Sequence, residues 1–131
     1  MNRATATCLT SLCLAPALAL GGCAGSTTSG TAYSLTITRH VEAYIAYDHE
    51  TVYNTALETL EKTFKYKIEK SELDGRTGSI KARTARGNMA SFSVTRDSKA
   101  MSEVSVFVGP VGDVDAAQDI LSRVEKALRD R

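Results

Sequence analysis

No cysteine follows residue 23, tryptophan is absent, and proline occurs only at Pro16 and Pro110. The missing cysteines exclude a secreted domain stapled by disulfides, which would keep an even set in its folded part. They also exclude a structural zinc site built on paired thiolates. Charge of one sign is not in excess, since 16 basic residues face 15 acidic ones. A nucleic-acid binder would carry a basic surplus, so nucleic acid is not an expected partner. Long apolar runs are missing too. The one hydrophobic stretch, from near Cys8 to Leu20, is interrupted by Pro16. A helix that crosses a bilayer needs about 20 apolar residues, and an interior proline costs about 3 kcal/mol.

That stretch has the parts of a secretory leader instead. Arg3 supplies a positive start, Leu9, Leu12, Leu14, Leu18 and Leu20 supply the apolar body, and Gly21 and Gly22 are small. Leu20-Gly21-Gly22-Cys23 resembles the lipobox of bacterial lipoproteins. The resemblance implies removal of residues 1–22, cleavage between Gly22 and Cys23, and acyl chains on Cys23. An unpartnered cysteine at this position fits an anchor. One acyl chain holds a protein only marginally, whereas the two or three chains of this class hold it firmly. Ala24 follows the cysteine. In the lipoprotein class the absence of Asp there implies sorting to the outer rather than the inner membrane, on the periplasmic side.

Residues 23–37 begin Cys-Ala-Gly-Ser-Thr-Thr-Ser-Gly-Thr, which is small and polar with no apolar face. They are expected to be a flexible tether. Residues 38–131 have the length of one domain. Alternation of Val41, Ala43 and Ile45 with His40, Glu42 and Tyr44 predicts a half-buried strand over 38–47. Asp48 is placed as a helix cap, and Val52, Tyr53, Ala56, Leu57, Leu60 and Phe64 draw one helical stripe. Period two then returns in four short runs separated by Asp74-Gly75, Arg86-Gly87-Asn88 and Asp97-Ser98-Lys99. Asp113 caps a last helix carrying Val114, Ala117, Leu121, Val124 and Leu128. The order is β-α-β-β-β-β-α. It predicts an α+β fold, a two-layer sandwich with an antiparallel sheet and two helices on one face.

Three segments carry a further resemblance. They are Val52-Tyr53-Asn54-Thr55-Ala56-Leu57, Gly78-Ser79-Ile80-Lys81-Ala82-Arg83-Thr84-Ala85, and Val104 to Asp113. Together they resemble a family of short bacterial lipoproteins known only as a domain of unknown function. The resemblance covers most of residues 40–128. It implies the fold and the anchor, and brings no catalytic residues, cofactor or partner with it.

The residues themselves offer little chemistry. His40 and His49 are the only histidines. His40 with Glu42 is the one pair that would serve an envelope hydrolase as general acid and base, and strand parity puts both on the solvent side. His49 is read as an exposed surface histidine, because His49-Glu50 lacks the second histidine of a zinc helix. Gly109 to Asp113 is read as a capped strand-to-helix turn rather than a phosphate loop, since Asp113 would occupy the free N–H groups. No metal or cofactor is expected. What remains is the outer parity of the sheet, where Tyr44, Lys67, Lys81, Arg83 and Phe107 fall together. The expected function is that of a non-enzymatic binding or structural module of the cell envelope. It would be held to the bilayer by Cys23 and would dock an envelope protein or glycan through this face.

Overall fold

The computed structural model describes residues 24–26 and 32–131. The expected leader 1–22, the cleavage pair Gly22–Cys23 and the acylated Cys23 lie outside the described residues. The strands are β1 (Ala24–Ser26), β2 (Ala32–Leu35), β3 (Val41–Ile45), β4 (Lys67–Leu73), β5 (Thr77–Arg83), β6 (Met89–Ser98) and β7 (Met101–Val108). The helices are α1 (His49–Glu58), extended by a π-helical turn over Thr59–Thr63, and α2 (Val114–Arg129). All seven strands form one antiparallel sheet in the order β1-β2-β3-β7-β6-β5-β4. From Val41 onward the element order is β-α-β-β-β-β-α, the α+β arrangement that the sequence predicts.

Both helices cover one face. Alternate residues of the central strands (Val41, Ala43, Ile80, Phe92, Val94, Val104 and Val106) are all but fully buried there. They meet Val52, Tyr53, Ala56 and Leu60 from α1 and its extension, and Ala117, Ile120, Leu121, Val124 and Leu128 from α2. Asp48 begins α1 as expected. Its carboxylate accepts from Glu50 N at 3.0 Å and Thr51 N at 3.1 Å, two of the donors a helix start leaves unpaired. Asp113 does the same for Ala116 N at 3.0 Å. The apolar stripe of α1 runs on to Phe64, but the backbone loosens after Glu58. The Thr59 hydroxyl bonds back to Thr55 O at 2.7 Å, and Phe64 N reaches Thr59 O at 3.1 Å, one residue further than an α-helical bond spans.

The region expected to be a tether differs. Ala32–Leu35 pairs with β3, and Ala24–Ser26 pairs with β2, so two strands extend the sheet before residue 38. Tyr33 and Leu35 pack against the core. The Tyr33 hydroxyl accepts from Gln118 Nε2 of α2 at 2.5 Å. Its ring lies over Gly25 so closely that a Cβ there would come within 2.4 Å of it. An otherwise unpaired edge of β3 supplies the hydrogen-bonding groups that recruit this small, polar chain. The following residues, Thr36–His40, form a tight turn in which Arg39 N donates to Thr36 O and Arg39 takes a positive φ of 61°. The strand expected over 38–47 is therefore shortened to Val41–Ile45.

Candidate functional site

On the sheet face away from the helices, residues in register run across the strands. One row is Glu42, Ser105, Ser93, Ser79 and Glu72. Next to it lies Phe107, Ser91, Lys81 and Lys70, and beyond that Met89, Arg83 and Lys67. On the other side lies Tyr44, Glu103, Thr95 and Thr77. No element of the described chain covers this face. Its middle is built of serines, whose short side chains leave the sheet flat. The β3 and β7 side carries the acids Glu42 and Glu103, and β5 and β4 carry the cations together with Glu69 and Glu72.

The five residues expected to share this face do share it, but not as one cluster. Phe107, Lys81, Arg83 and Lys67 occupy one corner with Met89. Tyr44, 56% exposed, sits on β3 opposite Glu103 and two residues beyond Glu42, away from that corner. Arg83 is already engaged. Its Nε donates to Glu69 Oε1 at 2.6 Å and its Nη1 to Gly87 O at 2.9 Å. The Glu69 hydrogen bond raises the Arg83 pKa and, in return, holds the Glu69 carboxyl below its usual range. Lys67 and Lys81 form no salt bridge among the described residues.

A register shift between Ile68 and Lys70 changes which β4 side chains face outward. It places Lys70 and Glu72 on the open face, where they pair at 2.9 Å. Parity counted straight through the sequence misses Lys70. The serine centre was legible, because Ser79, Ser91, Ser93 and Ser105 each alternate with buried apolar residues.

His40 is half-buried rather than free in solvent. Its ring stacks on Phe107 with centroids 4.7 Å apart and planes inclined at 30°. Its Nδ1 lies 3.2 Å from Ser105 Oγ, and Ser105 is the register partner of Glu42. A serine against an imidazole is half of a nucleophile–base pair. The other half needs a group orienting the ring and N–H donors for a developing oxyanion. Here the ring is oriented by Phe107, and β7 has its backbone paired on both sides, to β3 and β6.

His49 is buried, not exposed as expected. Only 8% of it is accessible, and its Nε2 donates to the Asp74 carbonyl at 3.0 Å. Directly behind the cap, the first helical residue faces the β4–β5 turn, so it ties α1 to that turn. Asp74 closes the turn by accepting from Thr77 N, Arg76 N and the Thr77 hydroxyl, which hold its carboxyl below its usual range.

Besides a hollow of about 320 Å³ lined by Glu72, Leu73, Asp74, Thr77 and Ser79, two others border the sheet. One, of about 340 Å³, is lined by Tyr66, Thr84, Arg86, Asn88 and Asp113, and burial pushes the Tyr66 phenol up. The other, about 240 Å³, lies between Tyr44–Tyr47 and the end of α2. Neither is lined by His40 or Glu42. Among the described residues, no group of three or more His, Cys, Asp or Glu gathers to hold a metal ion. No described helix is long and apolar enough to cross a membrane. A family model described as "Protein of unknown function (DUF3568)" matches residues 3–127. No curated protein matches the chain.

Proposed function

The chain belongs to the DUF3568 family of proteins of unknown function, and we propose that it is an envelope lipoprotein whose domain is a non-enzymatic docking module. Cys23 carries the acyl chains after cleavage behind Gly22, and the bilayer is the first partner. The second is an envelope protein or glycan that lies flat on the open sheet face. The observation that supports docking is the uncovered face itself. A merely solvated face has no need of Tyr44, Met89 and the Phe107–His40 stack, grouped around a flat serine centre. Phe107 and Tyr44 are rigid aromatic surfaces, and Lys67 and Lys81 are cations left for a partner.

The test is copurification from envelope extract with the lipidated protein. Replacing both Tyr44 and Phe107 by Ala abolishes capture of the partner while the fold persists, and undiminished capture removes the proposal. The Ser105–His40 contact is the observation that favours an envelope hydrolase using His40 and Glu42. A fluorophosphonate probe tests the serine form of that reading, since an activated Ser105 is labelled and a structural one is not.

A further inference from the structure

The two ends of the sheet differ in apolar exposure. At one end β3 begins at Val41, β7 finishes at Val108, β5 finishes at Arg83, and β6 and β4 begin at Met89 and Lys67. The loops 36–40, 64–66, 84–88 and 109–113 all open at this end. Gly109 N donates to Met89 O at 2.8 Å, which ties one loop to the next strand. Two of these loops touch, because a Cβ on Gly112 would lie 2.6 Å from the Cβ of Arg39. Each of the touching loops carries a bare apolar side chain. Ile37 is 103% exposed and Val111 is 73% exposed, the highest values among the exposed large apolar residues described.

Basic residues share this end of the sheet. Arg39, Lys65 and Arg86 lie in the loops, and Lys67 lies at the start of β4. The acids at this end include Asp113, committed to capping Ala116 N, Asp115 in the first turn of α2, Glu69, paired with Arg83, and Glu42 on β3. The opposite end carries Asp48, Glu50, Asp74 and Asp97 together with Arg76, Arg96, Lys99 and, at the end of α2, Arg129. Basic loop residues thus gather at the end that carries Ile37 and Val111, the basic end of the sheet.

The chain also enters the domain at the basic end. β1 is antiparallel to β2, which is antiparallel to β3, so β1 runs in the direction of β3. Ala24 is level with Ser34 and Glu42, one residue inside the start of β3. The N-terminal end of β1 therefore faces the same end as the exposed Ile37 and Val111.

We infer that this end of the domain is a bilayer-contact surface for anionic phospholipid, with Ile37 and Val111 entering the interface and Arg39 and Arg86 meeting the headgroup phosphates. The inference deepens the anchor reading and rests on it in part, since an acylated Cys23 would bring this end to the membrane. It also orients the domain. The strands stand toward the bilayer normal, and the serine-centred face looks sideways, free for a partner. Side chains at an interface bury apolar tips while neighbouring cations remain among the headgroups.

The chain has no tryptophan, so Ile37→Trp and Val111→Trp each introduce a single reporter. Leu73→Trp, at an exposed position on the opposite end, is the control. The acylated chain is reconstituted in vesicles of phosphatidylglycerol and phosphatidylethanolamine with brominated acyl chains. Emission from positions 37 and 111 shifts to shorter wavelength and is quenched, and emission from position 73 is not. Equal emission from all three, as in water, overturns the inference. Intact mass of the same sample reads acylation separately. Quenching at 37 and 111 with a bare Cys23 keeps this surface and removes the anchor. In a Cys23→Ser chain, Arg39→Gln and Arg86→Gln each lower partitioning into these vesicles by about five-fold. Unchanged partitioning contradicts the role given to the two arginines.

Discussion

Gly78 is the place where the packing of α1 on the sheet is most sharply testable. It lies on the helix-facing side of β5, opposite Val94, and is buried beneath Tyr53 of α1. A Cβ at this position would meet Tyr53 Cδ2 at 2.6 Å, Val94 Cγ1 at 3.0 Å and Leu73 Cδ1 at 3.2 Å. Gly78→Ala therefore forces the Tyr53 ring, itself 6% exposed, out of its seat. Overpacking of this kind costs about 1–3 kcal/mol. Removing a glycine also narrows the unfolded ensemble, which returns about 0.4–1 kcal/mol. The expected net loss is about 1–2 kcal/mol, read as a lower urea midpoint at unchanged slope. In a Tyr53→Leu background, where a smaller and more adaptable side chain lies over β5, the same Gly78→Ala change should cost little or be stabilising. The difference between the two backgrounds measures the Tyr53–Gly78 contact as a coupling energy. Gly78→Ala that is neutral in the wild-type background, or equally costly in both, would refute the seating of α1 on this glycine.

Other outcomes follow from the same contacts. Leu121→Ala, which empties a fully buried position on α2, should cost about 2–5 kcal/mol in chemical denaturation. Tyr44→Ala should leave stability within about 0.5 kcal/mol of the parent while affecting partner capture, because its side chain faces outward. Asp48→Ala removes the α1 cap and should cost about 1 kcal/mol at neutral pH. The Thr51 hydroxyl and backbone N–H lead the interactions that hold the Asp48 carboxyl below its usual 3.8. Its contribution is thus present above the unfolded value and fades as pH falls through the lower folded value. Asp48→Asn keeps the cap geometry but should lose this acid-side dependence, which stability measured from pH 2 to pH 6 (about the range in which carboxylates titrate) would reveal.

Elements whose side chains declare a period were legible in the sequence. The α2 stripe of Ala117, Leu121, Val124 and Leu128 is buried as its spacing implies, and β5, β6 and β7 alternate as written. Features that depend on the backbone alone were not. Ala24-Gly25-Ser26 carries no apolar pattern, and it joins the sheet because an edge was open and Gly25 admits the Tyr33 ring. Tyr33 and Leu35 did alternate with polar residues, so β2 had a signal that the polar run before it obscured. The bulge in β4 leaves composition unchanged yet turns Lys70 outward. His49 illustrates a third case. Its burial follows from the direction in which Asp48 launches the helix, which a single residue type cannot announce. Of the candidate site, parity supplied the face and its five named residues. Their separation into a Phe107–Lys81–Arg83–Lys67 corner and a distant Tyr44 required the register.

Anchorage of this open-faced domain at a bilayer is decided most directly by intact-mass spectrometry of the chain extracted from membranes of its native host. The expected species begins at Cys23 and carries the mass of two or three acyl chains on that residue. A chain that retains residues 1–22, or one that begins at or after Cys23 with no acyl mass, would contradict it.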